Sequence, residues 1–154
     1  MNNKNSKRPW ALKILIFLLF FQGFGALPGG FLFIVDPSGG LMQMPPDSLK
    51  GEIFTSFLVP SLFLFTVLGL GAIFLACSLY FLPDWSWAAK LNPTQGHHWT
   101  FFATMLFGVI LMSWITVQAY VVIEDSWLQP FYFTLGLIFV LMPITPWIQR
   151  YLRR

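Results

Sequence analysis

The sequence predicts an all-α membrane protein, a bundle of four transmembrane helices with a short extracytoplasmic β-hairpin between the first and the second. Three observations predict it. Of 154 residues, 56% are hydrophobic and only 10% charged, against about 25% charged in a soluble domain, so polar groups could not cover a water-facing surface. The apolar residues gather in four runs, each near the roughly 20 residues needed to cross a bilayer. The basic residues sit at the ends of those runs and form no patch of the kind that binds nucleic acid.

The spans are placed at about residues 10–27, 56–82, 99–123 and 128–148, within one domain covering residues 1–154. Lys4, Lys7, Arg8 and Lys13 flank the start of the first span, Lys90 lies between the second and third, and Arg150, Arg153 and Arg154 follow the fourth. Eight of the nine basic residues thus fall on the side of both termini, which the positive-inside rule assigns to the cytoplasm. Trp10, Trp85, Trp87, Trp99, Trp147 and Tyr151 then form an inner aromatic belt, with Tyr120 and Trp127 at the outer edge. The basic start and Gly23-Phe24-Gly25 also resemble a signal peptide with its cleavage site; a retained helix is the expected outcome.

Between the first two spans, Pro28-Gly29-Gly30 reads as a helix break. Phe31 to Val35 are β-formers too few to span again. Asp36-Pro37-Ser38-Gly39-Gly40 has the residues of a tight turn, and Leu41 to Met44 can return as a second strand. The hairpin is therefore placed at about residues 31–44. Open strand edges cannot sit in lipid, so it is expected at the interface as a lid, with Asp36, Pro37, Ser38 and Gly39 as an outer surface. Asp47 or Ser48 can cap the approach to the second span.

No Asp, Glu, Lys, Arg or His falls within the core of a span, which disfavours proton-coupled and voltage-driven transport. The intramembrane polar groups are amides and hydroxyls. Gln22, Ser61, Gln118 and Thr134 fall at comparable depth, one from each span, and Trp114 lies one turn from Gln118 on the same face. They are expected to form either interhelical hydrogen bonds or a small polar pocket beneath the hairpin, with Gln22 and Gln118 in contact. Small residues mark close packing: Gly23, Gly25 and Ala26 in the first span, Gly69, Gly71, Ala72 and Ala76 in the second, Thr104 and Gly108 in the third. Pro60 and Pro130 fall in first turns, and Pro143 and Pro146 bend or end the fourth helix.

No metal and no cofactor is expected. His97 and His98 are adjacent and diverge on a helix. Asp36, Asp47, Glu52, Glu124 and Asp125 serve topology and capping better than cation binding. Cys77, the single cysteine, reads as a small packing residue. There is no phosphate loop, no HExxH and no CxxC, and no nucleophile–base pair, so the reading leans away from an enzyme.

Gly29-Gly30 with Asp36-Pro37-Ser38-Gly39, Pro60 soon after the start of the second span, Trp114-Ile115-Thr116-Val117-Gln118, and Leu128-Gln129-Pro130-Phe131-Tyr132 ahead of Gly136 together form a pattern that resembles uncharacterised small bacterial four-helix membrane proteins. The resemblance covers most of residues 10–148. It implies the four-span topology and the bacterial inner membrane, and no activity. A broader likeness to DoxX-type proteins is one of fold alone. The expected function is non-enzymatic binding of a partner protein or a lipid through the outer bundle and hairpin. The alternatives are a small transporter or channel subunit, or a membrane-embedded enzyme acting on a lipid or quinone. The lipid bilayer is the one partner the sequence requires; oligomeric state is left open.

Overall fold

The computed structural model describes residues 7–44, 54–94, 96–122 and 127–153. Helices α1 (Trp10–Val35), α2 (Leu58–Phe63), α3 (Gly71–Phe81), α4 (Ser86–Leu91), α5 (Trp99–Val121), α6 (Leu128–Ile144) and α7 (Pro146–Leu152) follow one another, with a π-helical stretch, Leu64–Leu70, fusing α2 to α3. Three helices are long and apolar enough to cross a membrane: Trp10–Val35, Leu58–Phe81 and Trp99–Val121. A fourth crossing is completed if α6 and α7, bent by 62° to each other, count as one span. The chain is a helical membrane protein.

The β-hairpin does not exist. The described residues contain no strand, and residues 31–35 complete α1 instead. Pro28 lies inside that helix. Proline deletes one N–H, but in lipid any alternative to the helix leaves a whole run of backbone groups unpaired, and this outweighs both the proline and the β-propensity of Phe31 to Val35. The glycines serve packing rather than a break. A Cβ on Gly30 would lie 2.8 to 3.0 Å from the Cβ, N and Cα of Phe65, so only glycine admits the backbone of the π segment this closely. At 26 residues, α1 is about 39 Å long, against a hydrocarbon core of about 30 Å. Tilt or projection of its last turns takes up the excess.

The turn after it does form. Asp36 Oδ1 accepts hydrogen bonds from the Ser38 N–H and hydroxyl, and Oδ2 accepts from the Leu41 N–H at 2.8 Å. Gly39 sits at φ 83°, in the left-handed region, where glycine is not strained. A single 3₁₀ turn, Gly40–Met42, replaces the returning strand. The Phe57 N–H donates to Pro37 O, and Phe33 stacks on Phe57 at 4.8 Å, so the turn is pinned to the start of the second span. The Asp36 carboxyl is held below its ordinary value by the hydrogen bond it accepts from the Ser38 side chain and then by that from the Leu41 N–H. Asp47 and Ser48, like the carboxylates Glu52, Glu124 and Asp125, lie outside the described residues.

The helices associate as two intimate pairs. In the first, α1 lies along the second span, with Gly23 against Ile73 and the Gly69 carbonyl, and Gly69 against Leu27. In the second, α5 and α6 cross at Gly108 and Gly136, where a Cβ on Gly108 would stand 2.5 Å from the Gly136 carbonyl oxygen. Towards the chain ends the pairs are sealed together by Leu12, Leu15, Leu19, Leu75, Leu79, Ile148 and Leu152, all buried. We call this the termini end. There Arg8 donates to the Tyr80 carbonyl at 2.6 Å and lies over the Tyr80 ring, Trp10 meets Trp147, and Trp85 stacks with Trp87, Trp99 and Phe74. The tryptophans expected in an inner belt thus form two ring clusters, Trp10 with Trp147 and Trp85 with Trp87 and Trp99.

His97 and His98 do different jobs at that end. His97 stacks on Phe101 and bridges to Arg153. His98 caps α5 through Nδ1, which accepts from the Thr100 N–H, and its own N–H donates to Leu152 O at 2.7 Å. Among the described residues no three metal-ligating side chains gather. Pro146 opens α7 rather than ending the chain's helical course, with Thr145 Oγ1 bonded to Met142 O at the bend.

Candidate functional site

At the opposite, distal end the two helix pairs separate. On α1, full burial beyond Leu19 is confined to Gln22, Gly23, Ala26 and Gly30, so the last three turns bury no large side chain completely. The space left between the pairs is a cavity of about 200 Å³. All four spans line it: Gln22 and Ala26 from α1, Leu64 and Leu68 from the π segment, Trp114 and Gln118 from α5, Gln129 and Tyr132 from α6. A second chamber of about 110 Å³ lies against Phe33, Phe57 and Met44 and shares Leu64, Trp114 and Gln118 as walls with the first.

Of the residues expected in one polar layer, Gln22, Trp114 and Gln118 are brought to the same cavity. Ser61 lines the second chamber instead, and its hydroxyl bonds back to Leu58 O at 2.8 Å. Thr134 joins neither. It is exposed on the outer face of α6, with its hydroxyl on Pro130 O. The reason is helical phase. Thr134 lies two residues, about 200°, from Gly136 at the α5–α6 contact, whereas Tyr132 lies four residues, about 40°, from it. Depth alone selected Thr134; depth together with phase selects Tyr132. Gln129 and Tyr132 were missed for this reason, and the Gly136 contact was the signal that could have found them. Gly25 completes the placement of Tyr132: a Cβ there would come within 3.2 Å of the phenolic oxygen.

Two atoms define the chemistry of the larger chamber. Gln22 is 2% exposed, and its Oε1 has no hydrogen-bond partner. Trp114 Nε1 is also buried and without a partner. The direct contact expected of Gln22 with Gln118 is therefore not made through the Gln22 oxygen. The Trp114 ring is held in place by stacking on Phe63 at 4.6 Å. A buried acceptor and a buried donor left open cost roughly 1–3 kcal/mol each, and native structures leave few such groups without cause. Among the described residues that line the two chambers, none is charged. Asp36, Pro37, Ser38 and Gly39 are not part of either lining; their polar groups satisfy one another above it.

The π segment gives this site its wall. Leu64 begins it and Leu68 lies within it, and π-helical turns are frequent at functional sites because they shift side chains out of α-helical register. Comparisons with protein-family models, with curated proteins and with solved structures return no match.

Proposed function

We propose that this chain is a multi-pass protein of the bacterial inner membrane, both termini cytoplasmic, that binds a lipid-like molecule in the cavity between its helix pairs without transforming it chemically. The observation that carries the reading is a cavity between the helix pairs two of whose lining residues, Gln22 and Trp114, each keep a buried polar atom without a hydrogen-bond partner. Helix packing alone would be expected to close such groups against each other or fill the space. The tightly packed termini end supports a binding site open at one end over a conducting path. The uncharged lining supports binding over acid–base catalysis.

Native mass spectrometry of the full chain extracted gently from its own membrane tests the proposal. Wild type is expected to retain a lipid-sized mass. Gln118→Trp, which fills the junction of the two chambers, is expected to lose it, while Thr134→Trp on the outer face keeps it. A bare wild-type chain, or retention unaffected by Gln118→Trp, would sink the reading.

A further inference from the structure

We infer that the cavity takes its occupant sideways from the bilayer, through a mouth between α1 and α6 framed by Gly25, Leu128 and Tyr132, so that the ligand is a molecule dissolved in the hydrocarbon of the membrane's distal half. The inference rests on the lipid-binding reading above and adds the route of entry. Of the described residues that line the cavity, two are exposed, Gly25 on α1 and Leu128 on α6. The walls at Gln22, Ala26, Leu68, Leu111 and Ile115 are buried. The cavity therefore reaches the protein surface where α1 faces α6. Helical phase explains the opening. Leu18, Phe21 and Gly25 recur at three- and four-residue spacing and share one face of α1, as Leu128, Phe131 and Leu135 do on α6. Phe21 meets Phe131 edge-on at 6.1 Å, and Leu18 and Leu135 border one groove on the outer side, so side chains close the seam there. At the next position glycine offers none. A Cβ on Gly25 would have the Tyr132 phenolic oxygen at 3.2 Å and no other atom beyond its own stretch of helix within 4 Å.

The depth of the mouth selects the ligand. Trp10 and Trp127 are exposed and mark the two interfaces, where indoles anchor. Gly25 lies fifteen residues beyond Trp10, about 22 Å along the helix. Tyr132 lies five beyond Trp127, about 7 Å along α6. Against a hydrocarbon core of about 30 Å, both rulers put the mouth roughly 7–8 Å inside the distal interface. Its rim, Phe21, Leu128 and Phe131, is exposed and apolar. A water-borne solute would shed its hydration to arrive there, at roughly 2–7 kcal/mol for each amide or hydroxyl group, whereas a lipid chain is already in place.

Trp114, which lines the cavity, serves as the reporter. The full chain is reconstituted in vesicles of phosphatidylcholine brominated near the glycerol end of one acyl chain, a quencher that acts on contact. The Trp114 signal is the difference between wild type and Trp114→Phe. Brominated lipid is expected to quench it, and aqueous acrylamide is not. Gly25→Leu, whose side chain would stand in the mouth, is expected to lose most of that quenching. Leu128→Ala, which widens the mouth, is expected to increase it; opposite changes from the two helices are not what misfolding produces. Val117→Phe, at the exposed edge of the second chamber, is expected to leave the quenching as it is. Quenching by acrylamide instead of lipid, quenching unchanged in both mouth variants, or quenching lost in Val117→Phe but not in Gly25→Leu would each overturn the route. Native mass spectrometry of the same proteins separates this from the reading beneath it. Where the route fails, lipid retained by wild type and lost in Gln118→Trp leaves the lipid-binding reading standing; a bare wild-type chain overturns both.

Discussion

Gly29 and Gly30 are neighbours, yet alanine at the two positions is expected to act with opposite sign. At Gly30 the new Cβ would stand 2.8 Å from Phe65 Cβ, 2.9 Å from its N and 3.0 Å from its Cα. Ordinary contact begins near 3.4 Å, so α1 and the π segment must part by about half an ångström, and the obstacles are backbone atoms that no rotamer change removes. Overpacking of this kind costs about 1–3 kcal/mol. At Gly29 the nearest atom is Leu64 Cδ2 at 3.8 Å, an ordinary van der Waals contact, and alanine gains helix propensity of up to about 1 kcal/mol over glycine. The propensity gain applies at both positions and cancels in the comparison, so the two variants should differ by about the overpacking cost, 1–3 kcal/mol, with Gly29→Ala at or above wild type. Equilibrium unfolding of each variant in mixed detergent micelles measures the difference. Were Pro28-Gly29-Gly30 a break leading into an extended segment, the two alanines would act alike, and equal shifts would refute the continuous helix and its packing on Phe65.

Three further outcomes are expected. Gly108→Ala places a Cβ 2.5 Å from the Gly136 carbonyl oxygen and should destabilise the α5–α6 pair by about 1–3 kcal/mol, whereas Gly71→Ala, whose nearest neighbour is at 3.6 Å, should be neutral or stabilising; thermal melts in detergent compare them. Asp36 has a carboxyl value below the ordinary 3.8, set first by the Ser38 bond and then by Leu41, so its contribution to the turn is present above that value and is lost as pH falls below it. Amide-exchange protection at Leu41, followed by NMR, should hold from neutral pH down to mildly acidic conditions and vanish only below the ordinary value; loss already near neutrality would contradict the hydrogen-bonded turn. Thr134→Val should leave stability within about 0.5 kcal/mol of wild type, as expected for an outward-facing site remote from packing, and a larger loss by the same melts would place Thr134 back among interhelical contacts.

How far each element was legible depends on which physics specifies it. The apolar stretches, the turn at Asp36-Pro37-Ser38-Gly39 and the first-turn prolines Pro60 and Pro130 follow from composition and local backbone chemistry; the structure forms the turn and places the prolines accordingly, and it gives three helices able to span, or four if the bent α6–α7 pair counts as one. The stretch from Phe31 to Val35 was misread because its β-propensity and the preceding Pro-Gly-Gly are local signals, while the deciding contact, Gly30 on Phe65, joins residues 35 apart in sequence. The π segment Leu64–Leu70 carried no sequence signal that the pattern of apolar residues could show. In the candidate site, Gln22, Trp114 and Gln118 were legible from depth and face. Tyr132 and Gln129 required the phase of α6, which the Gly108–Gly136 crossing determines.

By itself the sequence determined that the chain is helical and membrane-bound, because a run of some twenty apolar residues has no other solvent and no other backbone hydrogen-bonding solution. It determined the turn at Asp36 as well, since those bonds close within six residues. Only the tertiary structure decided that α1 runs on past Pro28, that the pairs seal at one end and part at the other, and that Gln22 and Trp114 line one cavity while each keeps a buried polar atom unbonded. Those outcomes depend on where one helix backbone meets another, and glycine contacts between distant residues, not local propensity, decide that.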